Sequence, residues 1–348
     1  MPGYVLDDRL YKNCYGNRLN KHLLKSFKEN DIWHNWHFSN KFDPFLFEPY
    51  YKNYQSWRDN ALDSVKNLLE NDKNAIMISL DFKNYYYASS IDFDLLKKDI
   101  KDGERLIHKN YPSKDQIDID DYEKVNDILT DFIQKVFEKY HEEFNIQYGK
   151  KDLPFIPLGF LPSMIIANWN LQGFDQAILE DIHPSYYGRY VDDILIVLDS
   201  HEKSETYGNQ HFKEMESRDI IKKYFTRKGQ NPLNTIFKLE NEEDDKSSIK
   251  VHDINHRIHN KHFCYENLEI QSNKVKLYSF SHKYSTAIID NFKKEIAKNT
   301  SEFKLMKDSD KLFGDFEEKL FEIDYVESIN KLNDINSVKR DCPINNFF

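Results

Sequence analysis

Apolar and polar positions in the first half of the chain predict a helix, a buried strand and a set of charged helices. Residues 61–71 place apolar side chains at the three- and four-residue spacing of a helix, and residues 74–82 form an apolar run of strand length. Asp81 lies near the carboxyl end of that strand. Between residues 92 and 148, apolar positions recur at similar intervals among charged ones, which predicts helices inserted beside a sheet.

The middle of the chain predicts a helix and a strand pair. The stretch at residues 160–182 is strongly apolar and predicts one helix. Residues 185–200 predict two short strands, because the acidic pair Asp192 and Asp193 interrupts an otherwise apolar run. We therefore expect a turn at these two residues.

The last third of the chain predicts further strands followed by helices. Residues 236–251 have strand-like ends around an acidic tip, and residues 264–280 resemble a hairpin. Residues 286–299 and the residues after Phe313 resemble helices. The order of these elements predicts the α+β class, with an antiparallel sheet and helices on one of its faces.

The composition is typical of an enzyme-sized globular protein. Hydrophobic residues make up 39% of the 348 residues, which is enough for a large core. Lys and Arg number 49 against 59 Asp and Glu, and the resulting net charge of −10 excludes nucleic-acid binding by bulk positive charge. No apolar run approaches the ~20 residues of a membrane span, so we expect a cytoplasmic protein without a membrane partner.

Three acidic residues are the strongest candidates for chemistry. Asp81, Asp192 and Asp193 lie at the ends of predicted neighbouring strands, where their mutual repulsion is tolerable only with cations between them. Two Mg²⁺ ions held by carboxylate and phosphate oxygens are the usual arrangement for phosphoryl or nucleotidyl transfer. An acidic hairpin turn without chemistry is the alternative for Asp192 and Asp193 taken alone.

Three segments, in order along the chain, resemble the motifs of reverse transcriptases. Residues 79–89, SLDFKNYYYAS, resemble motif A, residues 157–168, PLGFLPSMIIAN, resemble motif B, and residues 190–193, YVDD, resemble the YxDD sequence of motif C. The resemblance extends over residues 74–281. Its details, including LEIQSNKVKLYSF at 268–280, look closest to bacterial defence-associated, abortive-infection reverse transcriptases.

The resemblance implies an RNA-directed DNA polymerase that adds dNTPs to a 3′-hydroxyl or a protein hydroxyl. In that family's arrangement Asp81, Asp192 and Asp193 would be the catalytic residues. The same three carboxylates, with the backbone carbonyl of Phe82, would ligate two Mg²⁺ ions, for which Mn²⁺ can substitute.

The resemblance also implies contacts to the nucleotide. Tyr86, five residues after Asp81, matches an aromatic gate that excludes a ribose 2′-hydroxyl and so selects dNTPs. The other candidate nucleotide-binding residues are Leu158, Gly159 and Ser163 in motif B, Lys238 as a match to a motif D lysine, and Arg58 as a triphosphate contact. Motif B departs from the family at Leu158, where Gln is common, and at Phe160, where a small residue is usual.

The implied architecture is a right-hand polymerase. Its fingers region would be residues 1–73, its palm residues 74–281 with a helical insertion at about 92–155, and its short helical thumb residues 282–348. Residues 268–280 would lie where the family has its primer-grip hairpin. The implied partners are an RNA template or noncoding RNA, a DNA product, dNTPs, and a second copy or a sister polymerase, in the bacterial cytoplasm and in antiphage defence.

Other functions stay open at the level of the sequence. Leu158 and the acidic balance favour untemplated or unusually templated DNA synthesis as one alternative. An inactive scaffold that resembles a reverse transcriptase and binds RNA or a sister polymerase is another, although the intact acidic trio argues against decay. A nucleotide cyclase also uses a palm-like sheet with two metals, but Tyr86 disfavours an NTP substrate.

Two further clusters have two interpretations each. Zinc binding and a polar, solvated or RNA-facing segment are the alternatives for His252, His256, His259, His262 and Cys264, and the lack of a closed four-ligand pattern favours the second. The aromatic residues between 33 and 57 can stack on bases or pack in a core, and packing is the commoner use.

Overall fold

In the structure, which is a computed structural model, the described residues are 6, 13–20, 46–110, 119–148, 153–200, 216–225, 236–240, 248–252, 263, 265, 267–280, 282 and 289. All of them belong to Met1–Lys293, one of the two compact units into which the chain divides. The predicted thumb at 282–348 lies outside the described residues, apart from His282 and Ile289.

The described residues contain helices and strands in the order that the sequence predicts. The helices are α1 (Tyr50–Glu70), α2 (Tyr85–Ala88), α3 (Phe93–Asn110), α4 (Ile119–Tyr148), α5 (Leu161–Asn170), α6 (Gln172–Ile182) and α7 (Ser217–Phe225). The strands are β1 (Asn74–Asp81), β2 (Tyr186–Tyr190), β3 (Asp193–Ser200), β4 (Phe237–Glu240), β5 (Ser248–Val251), β6 (Glu269–Ile270) and β7 (Lys276–Phe280). A 3₁₀ turn, Ser272–Lys274, separates β6 from β7.

The strands form two antiparallel sheets. The larger sheet has the order β2-β3-β1-β7, and the smaller has the order β4-β5-β6. Strand β1 is buried at all eight positions because it lies in the interior of its sheet, as its unbroken apolar run predicts. The predicted α+β class with antiparallel sheets is confirmed.

Helices cover the larger sheet on both faces, so the prediction of helices on one face is wrong. In β2, the side chain of Arg189 points to α5 and α6, where it contacts Asn168 and Asp175. The adjacent residue Gly188 faces α1, whose Trp57 Nε1 donates a hydrogen bond of 2.9 Å to the Gly188 carbonyl oxygen. Successive strand residues point to opposite faces, and both faces of this sheet are apolar enough to need a cover.

The predicted hairpin at 264–280 is also wrong, because β6 and β7 do not pair with each other. Strand β7 pairs with β1 up to Ser79 opposite Lys276, and Phe82 then lies opposite Ile270 of β6. Between these two pairs the chain advances three residues from Ser79 to Phe82, but six residues from Ile270 to Lys276. The three extra residues are the 3₁₀ turn, which interrupts what would otherwise be one strand along the edge of β1.

The predicted single helix at 160–182 is two helices. The chain leaves helical geometry at Leu171, which has φ −88° and ψ 4°. This break gives α5 and α6 different directions in which to present a polar side chain. Asn168 from α5 and Asp175 from α6 both reach the same buried guanidinium, that of Arg189.

Candidate active site

Asp81 and Asp193 lie directly opposite each other at one end of the larger sheet. They are the last pair in the register of β1 with β3, and β2 and β3 are joined by a turn through Val191 and Asp192. Opposite residues of an antiparallel pair have Cα atoms about 4.5–5.5 Å apart. The carboxylate cluster, which we define as Asp81, Asp192 and Asp193, is therefore assembled by strand register, as the sequence predicts for strands that end together.

Burial and mutual repulsion make this cluster unfavourable when all three groups are ionised. Burial, followed by the charge of Asp81, raises the pKa of Asp192 to about 6. Burial, followed by the charges of Asp192 and then Asp81, raises the pKa of Asp193 to about 7. The cluster thus favours a bound proton or a neighbouring cation near neutral pH.

A lysine that the sequence interpretation did not single out supplies one such cation. The Lys274 ammonium forms an ion pair with the Oδ2 atom of Asp81. The hydrogen bond to Asp81, followed by the charges of Asp81, Asp193 and Asp192, raises the pKa of Lys274. The signal in the sequence was the basic stretch SNKVK inside an otherwise strand-like segment, but only the 3₁₀ turn brings it to Asp81.

The buried side chain of Arg189 stabilises the turn between β2 and β3. Arg189 is 0% exposed, and its Nη1 atom donates to the Val191 carbonyl oxygen at 3.1 Å. Its Nε atom donates to both carboxylate oxygens of Asp175, at 2.7 and 3.0 Å. Val191 has φ +60°, a strained backbone conformation for a β-branched residue, so the turn needs such support. A charged residue inside an apolar strand was the available sequence signal for Arg189.

The N-terminal segment at residues 13–16 braces the same turn. The backbone of Arg189 pairs with that of residues 13–15, with Tyr15 N donating to the Arg189 carbonyl oxygen at 2.8 Å. Gly16 lies so close to the turn that a Cβ atom there would be 2.7 Å from Cγ2 of Val191. Asn168 Nδ2 donates to the Gly16 carbonyl oxygen at 2.7 Å and so connects motif B to this brace.

The three consecutive tyrosines after motif A have three different environments. Tyr85 is buried, and its hydroxyl donates to the Ala167 carbonyl oxygen at 2.6 Å. Burial, followed by the charge of Asp192, raises the pKa of the Tyr86 hydroxyl to about 12. Tyr87 packs against Phe155. Of the three tyrosines, only the candidate gate Tyr86 has a pKa that the charge of Asp192 raises.

The motif B candidates lie in the loop before α5 and in the first turn of α5. Leu158 is 59% exposed, and Gly159 has φ +82°, a conformation that favours glycine. Ser163 is 1% exposed, and among the described residues its Oγ atom has no hydrogen-bond partner. The loop therefore presents an apolar side chain to solvent at the position where the resemblance implies a polar template contact.

The structure gives the remaining candidates different surroundings. Arg58 in α1 is paired with Asp59 at 3.1 Å. Lys238 is exposed on β4, and β5 separates it from β6, which places it about 10 Å from β6 at the usual strand spacing. The ring of Phe82 packs in the core against Phe174, next to Asp81 in the chain. The structure thus brings Lys274, rather than Lys238, to the cluster.

The donor set suits a hard divalent cation, because carboxylate oxygens are the ligands that Mg²⁺ prefers and a cationic ammonium already lies against one of them. Within the described ranges, however, no group of three or more His, Cys, Asp or Glu side chains has the spacing of a formed metal site. His252 is described but His256, His259, His262 and Cys264 lie outside the described residues, as do the aromatic residues from 33 to 45.

No described helix is both long enough and apolar enough to cross a membrane. Comparison of the chain with protein-family models, with curated proteins and with solved structures finds no match.

Proposed function

We propose that the chain is a nucleotidyltransferase of the reverse-transcriptase class, an RNA-directed DNA polymerase of right-hand architecture that acts in antiphage defence. The observation that carries this proposal is the pairing of Asp81 with Asp193 across two buried strands, with Asp192 in the adjoining turn. The order of the three sequence motifs supports it. The reaction joins a hydroxyl oxygen, from a 3′-end or a protein, to the α-phosphorus of a dNTP and releases pyrophosphate.

Each part of the site has a role in this reaction. Asp81, Asp192 and Asp193, with the Phe82 carbonyl oxygen, would hold two Mg²⁺ or Mn²⁺ ions. When bound, these ions would supply positive charge for the attacking oxygen and for the leaving pyrophosphate. Arg189 fixes the turn that carries Asp192. Tyr86, whose pKa the charge of Asp192 helps to raise, is the proposed gate that excludes a ribose 2′-hydroxyl.

Primer extension with labelled dNTPs on the purified full chain, together with the nucleic acid that copurifies with it, tests the proposal. Asp192→Asn should lower incorporation by at least about 100-fold, because the site loses a charge that its cations need. Asp199→Asn is the matched control, because it makes the same chemical change at the other end of β3. There Asp199 pairs with Lys73. Equal incorporation by the Asp192→Asn variant and the unmodified chain would refute the proposal.

Untemplated or unusually templated synthesis by the same site is the second candidate. Leu158 and Leu161 are 59% and 50% exposed, so the surface around Gly159 offers apolar contacts where a template is conventionally positioned by a polar side chain. Sequencing of the product separates the two. Faithful copies of a supplied RNA support templated synthesis, and a product independent of the supplied RNA supports the second candidate.

An RNA-binding scaffold without activity is favoured by one observation, the ion pair of Asp81 with Lys274, because it neutralises part of the carboxylate cluster without any metal. In that case Mg²⁺ would not promote dNTP binding to the full complex. Binding of a labelled dNTP that requires Mg²⁺ and is lost in Asp192→Asn would exclude the scaffold.

The partners of the proposed enzyme are an RNA template or noncoding RNA, the DNA product, and a second copy or a sister polymerase. With a net charge of −10, the chain needs a local basic groove or a partner that contributes one. Sequencing of the copurifying nucleic acid identifies template and product together.

A further inference from the structure

The side chain of Lys274 places a positive charge at the carboxylate cluster. Lys274 pairs with Asp81, whose side chain is only 10% exposed, whereas 54% of the Lys274 side chain is exposed. The ammonium therefore reaches the cluster from solvent, while the carboxylate is held within the fold. The two residues are 193 positions apart in the sequence, so tertiary structure creates the contact.

The backbone around Lys274 holds it at this place. Gln271 N donates to the Asp81 carbonyl oxygen at 2.8 Å on one side of the 3₁₀ turn, and Lys276 pairs with Ser79 on the other. Within the turn, Lys274 N donates to the Gln271 carbonyl oxygen at 2.9 Å. Both ends of the three-residue insertion are thus fixed to β1, on either side of the position at which Lys274 meets Asp81.

The geometry points to Lys274 as an intramolecular counter-ion that exchanges with a divalent cation at Asp81. This inference rests on the proposed function, since it concerns the metal ligands of that site. The ammonium stabilises the buried carboxylate before a cation binds, and the exposed stem of the lysine allows it to move into solvent when the cation arrives. Because the same carboxylate serves both, lysine and metal compete, and removal of the lysine must tighten metal binding.

Titration of the full chain with Mn²⁺, followed by electron paramagnetic resonance of the free ion, tests this without any activity measurement. Lys274→Gln should lower the Mn²⁺ dissociation constant by at least about fivefold. Lys83→Gln is the matched control. Lys83 is also 54% exposed, also has one ion pair, with Glu269 at 3.5 Å, and lies two residues from Asp81 in the sequence. This control should change the constant by less than about twofold.

A second measurement follows from the same competition. Without divalent cations, Lys274→Gln should unfold at a lower urea concentration than the unmodified chain, and saturating Mn²⁺ should remove the difference. Equal Mn²⁺ affinity in Lys274→Gln and the unmodified chain would overturn the inference and leave the proposed function intact. An equal decrease of the Mn²⁺ dissociation constant in Lys274→Gln and Lys83→Gln would also overturn the inference, because it would show a general effect of charge. A lack of Mn²⁺ binding in every variant would instead overturn the proposed function.

Discussion

Arg189 and Asp175 form a buried ion pair beneath the turn that carries Asp192. The Arg189 Nε atom donates to both oxygens of the Asp175 carboxylate, at 2.7 and 3.0 Å, and Arg189 is 0% exposed. Asn168 accepts two further hydrogen bonds from Arg189, through Oδ1 at 3.0 Å and through its carbonyl oxygen at 2.6 Å. This network joins β2, α5 and α6 at one point, directly below the candidate active site.

Removal of one partner from this pair should be costly. Arg189→Met leaves the Asp175 carboxylate buried without its cation, and we expect a loss of about 3–5 kcal/mol in the free energy of unfolding. Urea denaturation followed by circular dichroism measures it. The double variant Arg189→Met with Asp175→Leu should lose less than Arg189→Met alone, because no unpaired charge is left. A single variant within about 1 kcal/mol of the unmodified chain would contradict the structure.

The stability of the chain without divalent cations should depend on pH through Asp192 and Asp193. Their pKa values are raised to about 6 and about 7, above the ordinary value of 3.8. These carboxyls bind protons more tightly in the folded than in the unfolded chain, so their stabilising contribution is complete below about pH 4 and is lost as pH rises to about 7. In EDTA, Asp193→Asn should therefore raise the unfolding free energy more at pH 8 than at pH 4.

The raised pKa of Asp193 also predicts how strongly the effect of Asp193→Asn on stability depends on pH. One pKa unit corresponds to about 1.4 kcal/mol. The amount by which Asp193→Asn raises the unfolding free energy should therefore be larger at pH 8 than at pH 4 by about 2–4 kcal/mol. Urea unfolding at the two pH values measures both differences. A difference independent of pH would show that Asp193 titrates like an exposed carboxyl.

Tyr86 should determine which sugar the proposed enzyme accepts. In the proposed role of gate the Tyr86 ring excludes a 2′-hydroxyl, so Tyr86→Ala should open space for one, and the preference in kcat/KM for dNTP over NTP should fall at least about tenfold. Tyr86→Phe keeps the ring and should keep the preference. Tyr87→Ala is the control, because Tyr87 packs against Phe155 instead. An unchanged preference in Tyr86→Ala would remove Tyr86 from the role of gate.

Gly16 should be intolerant of a side chain. A Cβ atom would lie 2.7 Å from Val191 Cγ2 and 2.8 Å from Val191 N, so Gly16→Ala must displace the turn or the N-terminal brace. We expect a loss of about 1–3 kcal/mol in unfolding free energy, measured in urea, together with lower primer extension. Val191→Ala removes the side-chain half of the clash and should restore part of both. Full stability of Gly16→Ala would contradict the close approach.

The sequence predicted those parts of the fold that depend on local pattern. The apolar run at 74–82 became β1, and the acidic pair at 192 and 193 lies where β2 turns into β3. Since both strands end at this turn, the meeting of Asp81 with Asp193 follows from the sequence once the two strands are assumed to pair. The error in the hairpin at 264–280 has a local cause. Residues 272–274 have no apolar periodicity, and a turn between two paired strands has the same sequence pattern as a turn that interrupts one strand.

Tertiary structure alone decided which charged side chains meet at and below the carboxylates. Lys274 reaches Asp81 across 193 residues because a three-residue insertion is fixed to β1 at both of its ends. Arg189 meets Asp175 because the chain bends at Leu171 and turns α6 toward β2. Periodicity records whether a residue is apolar and how far it lies from its neighbours in the chain. It does not record the register between distant segments, and that register determines where a buried charge finds its partner.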